Sequence, residues 1–355
     1  MIPQANKPKV AISILNWNGW QDTLECLESV RQLDYPNYLT VVVDNGSTNG
    51  SADKIKAWAE ANLGPGHVIA DYSRGAALAG GDPGTENALD RASSPSRMVL
   101  IRNEENLGFT GGNNVAIHCA LRRGADYVFL LNNDAAPEPS CLSQLVAVDA
   151  EADAGMVGAM VLDGEGQRVL FGGRAPLLRQ FFSPLVNWHL PPPEGHNGFW
   201  DSFLLPGTAM LLRSDVLQAL ARRHGEYFDQ SLFMYGESIV LSSRARKAGY
   251  RGLFAGAARV RHMGGTGSGG ARSSLTFYYP TRNAIRTARE LLPPWWGALF
   301  YLTNTPVCLT RAARHALAGR AHTGWAVLQG LIDGYRGVGG KWKRHDEEVQ
   351  RHAAS

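Results

Sequence analysis

Val10-Ala-Ile-Ser-Ile-Leu15 is a β-branched apolar run of strand length, and the polar Asn16-Trp-Asn-Gly19 ends it. A helical pattern from Asp22 to about Gln32 follows, and Leu39-Thr-Val-Val-Val43 predicts a second strand closing on Asp44-Asn-Gly-Ser-Thr48. Strand, helix and strand within about 35 residues make a βαβ unit, so the sheet is parallel there. A helix is expected from about Ser51 to Ala61, whereas Asp71 to Arg97 is polar and rich in Gly, Ala and Ser and reads as a surface insertion outside the core. Met98-Val-Leu-Ile101 resumes the sheet. Asn106 to Asn114 reads as a glycine-rich loop, Val115 to Arg123 as a helix and Tyr127-Val-Phe-Leu-Leu131 as another strand. Short strands are expected between Met156 and Gly173, and the stretch from Phe181 to Trp200 is rich in Pro and aromatic residues. Helices are expected over Leu211 to Arg223 and Ile239 to Ala248, the second closed by Gly249. The promising loops all follow strand C-terminal ends, the edge at which open α/β sheets bind ligands. The pattern divides into an α/β domain over residues 1–270 and a helical C-terminal extension over residues 271–355.

Composition adds boundaries to this plan. The 355 residues are 44% hydrophobic and 19% charged, enough for one large core or one core with a smaller satellite. A net charge of +3, with no basic helix interleaved with aromatics in the first two-thirds, argues against a nucleic-acid partner. Cys26, Cys119, Cys141 and Cys308 are far apart and form no Cys-x-x-Cys pair, so no zinc site or disulfide framework is expected and a reducing compartment fits. The first residues lead into β structure without the apolar stretch of a signal peptide, which predicts a cytoplasmic protein. Leu291 to Leu309 is apolar and aromatic but broken by Pro, Thr and Asn, and Arg311, Arg314, His315 and Arg320 follow it. That pattern suits a peripheral contact with the inner face of the cell membrane better than a spanning helix. The alternative is a core helix pair with a solvated basic edge.

Four loops in order carry a likeness to a known family: Ile14-Leu-Asn-Trp-Asn-Gly-Trp20, Val43-Asp-Asn-Gly-Ser-Thr48, Asn106-Leu-Gly-Phe-Thr-Gly-Gly-Asn-Asn114 and Leu130-Leu-Asn-Asn-Asp-Ala-Ala-Pro137. Phe228 to Tyr250, Tyr278-Tyr-Pro-Thr-Arg-Asn283 and the glycine-rich Gly330 to Gly340 extend it over nearly the whole chain. Together they resemble glycosyltransferase family 2, and within it bacterial rhamnosyltransferase-like members. The resemblance implies a GT-A fold, a Rossmann-like and mostly parallel sheet flanked by helices. It also implies transfer, with inversion, of a sugar such as rhamnose from a dTDP- or UDP-linked donor to a saccharide or lipid-linked acceptor in cell-surface polysaccharide synthesis.

The chemistry assigns residue types. A carboxylate such as Asp44, with Asn16 and Asn18 beside it, can accept from ribose hydroxyls or a base N–H, its alternative being an Asx-turn after the strand. Asn106, Gly108, Gly112 and Asn113 match the loop that packs on the nucleotide in the family, although the glycines do not follow a dinucleotide fingerprint. Asn133 belongs with this nucleotide-sugar set. Asp134 matches the last position of the family's acidic metal motif, which implies Mg²⁺ or Mn²⁺, and His262 falls where related enzymes keep a histidine for the metal or diphosphate. Trp200, Asp201 and Gly207, with Pro206 and Thr208, are the expected acceptor-side set, able to stack on a sugar ring, their alternative being ordinary packing.

One position departs from the family. Relatives present Glu-Asp before a helix, with the aspartate as general base; here the pair is Glu237-Ser238, and the next common acid is Val240. Serine cannot accept the acceptor's proton unless another base activates it. Three readings stand: Glu237 is the base, Asp229 or Asp201 serves, or the protein is an impaired homologue that binds nucleotide as a partner or regulatory subunit. Glu237 preserves the chemistry at least structural cost, its alternative role being a helix cap. A nucleotidyltransferase is disfavoured because no Gly-rich, cationic signature follows the first strand.

Overall fold

The computed structural model describes residues 7–172, 198–264 and 273–353. Its strands are β1 (Val10–Asn16), β2 (Tyr38–Asn45), β3 (Val68–Ser73), β4 (Arg97–Asn103), β5 (Tyr127–Asn132), β6 (Ala135–Pro137), β7 (Gly155–Asp163), β8 (Val169–Phe171), β9 (Phe199–Asp201), β10 (Ala209–Arg213) and β11 (Arg251–His262). They form one sheet in the order β3-β4-β2-β1-β5-β10-β7-β11-β6, with β8 beside β7 and β9 beside β11. The half from β3 to β5 is parallel, and β10 enters antiparallel between β5 and β7. This is the mostly parallel, helix-flanked α/β plan expected from the sequence.

The inner parallel strands β1, β2, β4 and β5 are buried on both faces, which is why they read as continuous apolar runs. Val41, Val43, Ile101 and Leu130 pack under the helices Gly108–Arg122 and Ser214–His224. Ile12, Ile14 and Val42 face the opposite way, against the helices Trp20–Val30, Ser51–Asn62 and Cys141–Ala152. Register brings Asn16 beside Asp44, Asp44 beside Arg102, and Leu15 beside Asn132. The loops after β1, β2, β4 and β5 therefore leave the sheet along one edge.

Several local expectations need correction. The stretch from Asp71 to Arg97 is not an irregular insertion: Asp71 to Ser73 ends β3, and the helices Arg74–Ala79 and Pro83–Arg91 follow. An edge strand needs only one paired side, and here Asp71 accepts from Arg102 at 2.7 Å while Ser73 and Asp82 cap the two helices. Helix structure begins at Gly108 rather than Val115, because Gly111 and Gly112 allow that helix to lie close to its surroundings; a Cβ on Gly112 would meet Leu15 Cδ1 at 2.3 Å. Leu211 to Arg213 belongs to β10, paired on both sides, and the helix starts at Ser214. The first helix begins at Trp20, two residues before Asp22, and ends at Val30. Most of the Pro-rich stretch from Phe181 lies outside the described residues. The four cysteines are buried and unbridged.

Beyond β11 the chain is helical: Leu275–Leu291, Pro294–Leu317, Ala321–Arg336 and His345–Ala353. The broken apolar run from Leu291 falls mainly into Pro294–Leu317, and no helix among the described residues is long and apolar enough to cross a membrane. These helices share a small core of Ile285, Phe300, Cys308, Val327 and Leu331. The glycines of Ala321–Arg336 have a packing purpose. A Cβ on Gly330 would stand 2.6 Å from the backbone oxygen of Tyr278, and one on Gly334 would stand 2.8 Å from Ile285. The contact at Gly330 is with backbone, which cannot swing aside. Gly330→Val is therefore expected to lower unfolding free energy by about 2 kcal/mol or more, measured by denaturant titration against wild type.

Candidate active site

A cavity of about 580 Å³ opens along the ligand-binding edge of the sheet. Strand register assembles its floor. Ala135 on β6 lies opposite His262 on β11, and this puts Asp134 beside the imidazole: His262 Nε2 and Asp134 Oδ1 are 3.2 Å apart. The carboxylate raises the imidazole's proton affinity, against the opposing effect of burial. Asn133 also lines the cavity, its amide donating to the Gly19 carbonyl at 3.2 Å and Thr23 Oγ1 at 3.1 Å.

Glu237 enters from the other side, as the first residue of the helix Glu237–Lys247. Its Oε1 accepts weakly from Ser238 Oγ at 3.4 Å, while Oε2 is shielded from water and has no hydrogen-bond partner among the described residues. Burial pushes its carboxyl above the usual carboxylate range, outweighing hydrogen bonds that act in the other direction. Gly207 makes room for this pair, since a Cβ there would lie 2.7 Å from Ser238 Oγ. Gly207 and Thr208 line the cavity.

The loop that delivers Glu237 is strained. Phe233 and Tyr235 have φ of 64° and 65°, a region that non-glycine residues rarely occupy, and Gly236 follows at 89°. Two side chains of the helix Leu275–Leu291 hold it there. The amide of Asn283 donates to the carbonyls of Leu232, Met234 and Tyr235 at 2.9, 2.8 and 2.7 Å. Arg282, fully buried, donates to Leu232 O at 2.8 Å and Gly340 O at 2.7 Å. The bent Phe233 in turn accepts from Thr110 N at 3.1 Å, and a Cβ on Gly108, itself at φ 73°, would fall 2.4 Å from the Phe233 carbonyl. Gly108 thus needs to be glycine both for its backbone and for its neighbour.

The remaining expected residues divide. Asn106 lines the cavity, and its Oδ1 accepts from Asn45 Nδ2 at 3.0 Å. Asn16, Asn18 and Asp44 stand behind the wall and bind one another's loops. Asn16 Nδ2 donates to Asp44 Oδ2 at 2.7 Å, Ser47 N donates to Asp44 Oδ1 at 3.0 Å, and Asn18 Oδ1 accepts from Thr48 N at 2.9 Å. The turn-forming alternative for Asp44 is thus present in the geometry. Asn113 is buried, accepting from Ser13 Oγ at 3.0 Å, and Gly112 packs on Leu15; neither reaches the cavity. Trp200 and Asp201 also lie off it. Trp200 is stacked on Phe254 and Asp201 pairs with Arg246 at 2.8 Å, because β9 is held against β11. Asp229 is likewise occupied, by Arg244 at 3.1 Å. Among the described residues, Glu237 and Asp134 are the cavity's carboxylates.

Residues that motif reading passed over complete the lining. Trp17 and Asn45 lie inside the motif loops, next to the expected residues Asn16, Asn18 and Asp44. Leu275, Thr276 and His345 come from the C-terminal helices, where sequence spacing offers no sign of a shared cavity. Three helices, beginning at Gly108, Glu237 and Leu275, start at this wall, and their N-terminal ends favour an anionic ligand.

A cavity at the C-terminal ends of the parallel strands is where α/β proteins bind ligands, and solved glycosyltransferase structures give this sheet as the GT-A type. The chain belongs to glycosyltransferase-like family 2, whose model matches residues 79–284, and the glycosyl transferase family 2 model matches residues 11–79. Solved structures share the fold. A mannosyltransferase from Pyrobaculum calidifontis, in complex with GDP-Man and Mn²⁺, aligns with 99% of this chain and 85% of its own at TM-score 0.53 and 16% identity. Staphylococcus aureus TarS aligns over 96% of this chain and 50% of its own, also at 0.53 and 16%. Uncharacterized proteins of Mycobacterium bovis and Mycobacterium tuberculosis are 27% identical over 160 residues, 45% of this chain, so the match spans about half the length of those curated relatives.

The buried carboxylate has a cost that pH reveals. Glu237 holds its proton more tightly folded than unfolded, so wild-type stability falls as pH rises from the ordinary value of 4.5 through the raised one. Glu237→Gln is expected to melt above wild type at pH 7.5, with the gap closing as pH drops towards 4.5. Thermal unfolding across that range checks this.

Proposed function

We propose that the protein transfers a sugar, rhamnose or another deoxyhexose, from a dTDP- or UDP-linked donor to a hydroxyl of a saccharide or lipid-linked acceptor, with inversion, with Glu237 as the base. The observation that carries the reading is the buried, raised-affinity carboxylate of Glu237 in the same cavity as the Asp134 and His262 pair. Glu237 takes the acceptor's proton, and the oxygen forms a bond to the anomeric carbon. The bond from that carbon to the diphosphate oxygen breaks, and the nucleoside diphosphate leaves with the electron pair. Attack from the side opposite the leaving group inverts the centre. The N-termini of the helices that begin at Gly108 and Leu275 favour the diphosphate's growing negative charge.

The donor set at Asp134 fits a divalent cation. One carboxylate and one imidazole supply hard and borderline ligands, and Mg²⁺ or Mn²⁺ commonly completes its shell with substrate phosphates and water. Among the described residues no cluster of three acidic, His or Cys ligands exists, so a cation would depend on the nucleotide for its remaining contacts. When bound, such an ion neutralises charge on the departing diphosphate. The mannosyltransferase relative, solved with GDP-Man and Mn²⁺, supports this combination of ligands.

The helix Pro294–Leu317 supports a peripheral membrane contact at the inner face of the cell membrane. Trp295, Leu299, Leu302 and Leu309 are exposed along one side, with Arg314 exposed in its last turn and Arg320 just beyond it. Wild type is expected to sediment with vesicles containing anionic lipid, and the double variant Trp295→Ser, Leu302→Ser to remain in the supernatant.

Ser238, in place of the family's aspartate, favours the second reading of an impaired homologue that keeps nucleotide binding as a partner or regulatory subunit. Release of nucleoside diphosphate from dTDP-, UDP- and GDP-sugars, with metal and with or without a lipid-linked acceptor extract, separates the two. Acceptor-stimulated turnover that falls by at least about 100-fold in Glu237→Gln while donor affinity persists is the expected result. Binding without turnover in the wild type supports the second reading.

A further inference from the structure

His345 begins the helix His345–Ala353, more than a hundred residues after Glu237, yet its ring lines the same cavity. It is 1% exposed and packed between aromatic rings, with centroids 5.5 Å from Trp17 and 5.1 Å from Phe233. Its Nδ1 lies 3.0 Å from the Tyr279 hydroxyl, and Nε2 has no hydrogen-bond partner among the described residues.

The Tyr279 contact determines which nitrogen carries the proton. The Tyr279 oxygen already accepts from the Trp342 backbone N–H at 2.9 Å, so its own hydrogen is left to donate. Tyr279 is fully buried, where a phenol without an acceptor is costly, and His345 Nδ1 is the acceptor beside it. Nδ1 therefore accepts, and the proton of the neutral ring resides on Nε2. Burial pushes the imidazole down to about 4, so the ring is neutral near pH 7. The result is a buried N–H donor on a residue of the cavity wall, with no acceptor for it among the described residues.

We propose that His345 is a positioning residue of the donor site, its Nε2–H donating to an oxygen of the bound nucleotide sugar. The proposal rests on the glycosyl-transfer reading. Its acceptor is either a diphosphate oxygen or a hydroxyl of the transferred sugar, and the two differ in what else binds through them. Trp17 leaves β1 in the loop that leads the ligand-binding edge, so the same ring that fixes His345 also borders the nucleotide side of the cavity.

Calorimetric titration of wild type, His345→Phe and His345→Gln with dTDP-, UDP- and GDP-sugars, and with the free nucleoside diphosphates, tests this. Phe keeps the ring and removes the donor, whereas the Gln amide returns an N–H near the position of Nε2. The affinity for the best-bound nucleotide sugar is expected to fall by about tenfold in His345→Phe and to recover largely in His345→Gln. A matching fall for the free diphosphate assigns the bond to phosphate, and a fall confined to the nucleotide sugar assigns it to the sugar. Unchanged affinity in His345→Phe overturns the proposal. So does an equal loss in both variants accompanied by a lower unfolding temperature, which marks a purely structural histidine. Wild type that binds no nucleotide sugar overturns the glycosyl-transfer reading itself, before any variant is compared.

Discussion

The hydrogen bonds from Arg282 and Asn283 to the loop before Glu237 are the constraint on which the cavity depends. Without them the Phe233 to Gly236 segment has no reason to hold two non-glycine residues at positive φ, a conformation that costs of order 1–3 kcal/mol per residue. Held there, Phe233 turns its carbonyl to Thr110 and its ring to Tyr279 and His345, and the next turn of chain becomes the helix that starts at Glu237. Arg244 adds a second tie, bridging Asp229 and Glu290. The Gly108 turn, the loop before Glu237 and the C-terminal helices are thus adjusted against one another through a few shared backbone carbonyls.

The same arrangement explains why a carboxylate tolerates burial. Glu237 sits at the positive end of a helix, which favours its charge, but one of its oxygens is left without a partner. A structure selected for stability alone would fill that position with a side chain that needs no partner. An acid with an unpartnered oxygen in the same cavity as Asp134 and His262 is the kind of perturbed group that concentrates at functional sites.

Much of the fold was legible because parallel strands buried on both faces leave unbroken apolar runs, as in Val10 to Leu15 and Leu39 to Val43. The edge strand β3 and its two helices were not, since a polar sequence can be ordered by capping at Ser73 and Asp82 and an ion pair at Asp71, none of which has a periodic signal. In the candidate site the motif loops reach the cavity, but often through a residue next to the one expected. Side chains alternate along a strand, so at the ends of β1 and β2 the cavity receives Trp17 and Asn45 while Asn16 and Asp44 turn to each other. Gly112 and Asn113 belong to a helix whose packed side they occupy, which a loop assignment could not reveal. His345 was invisible because its nearness to Trp17 and Phe233 follows from how four helices fold back over the sheet, and no local spacing encodes that.

The Arg282 guanidinium also orders events in time. It joins the Leu232 carbonyl to that of Gly340, and both it and Gly340 leave the ribosome well after the loop they shape. The sheet and its nucleotide-side loops can close on themselves as they emerge, since domains generally fold as units from the N-terminal side. A growing chain can therefore complete the strands of its sheet before it can close the cavity, whose wall is finished only once synthesis has passed Gly340 and reached His345.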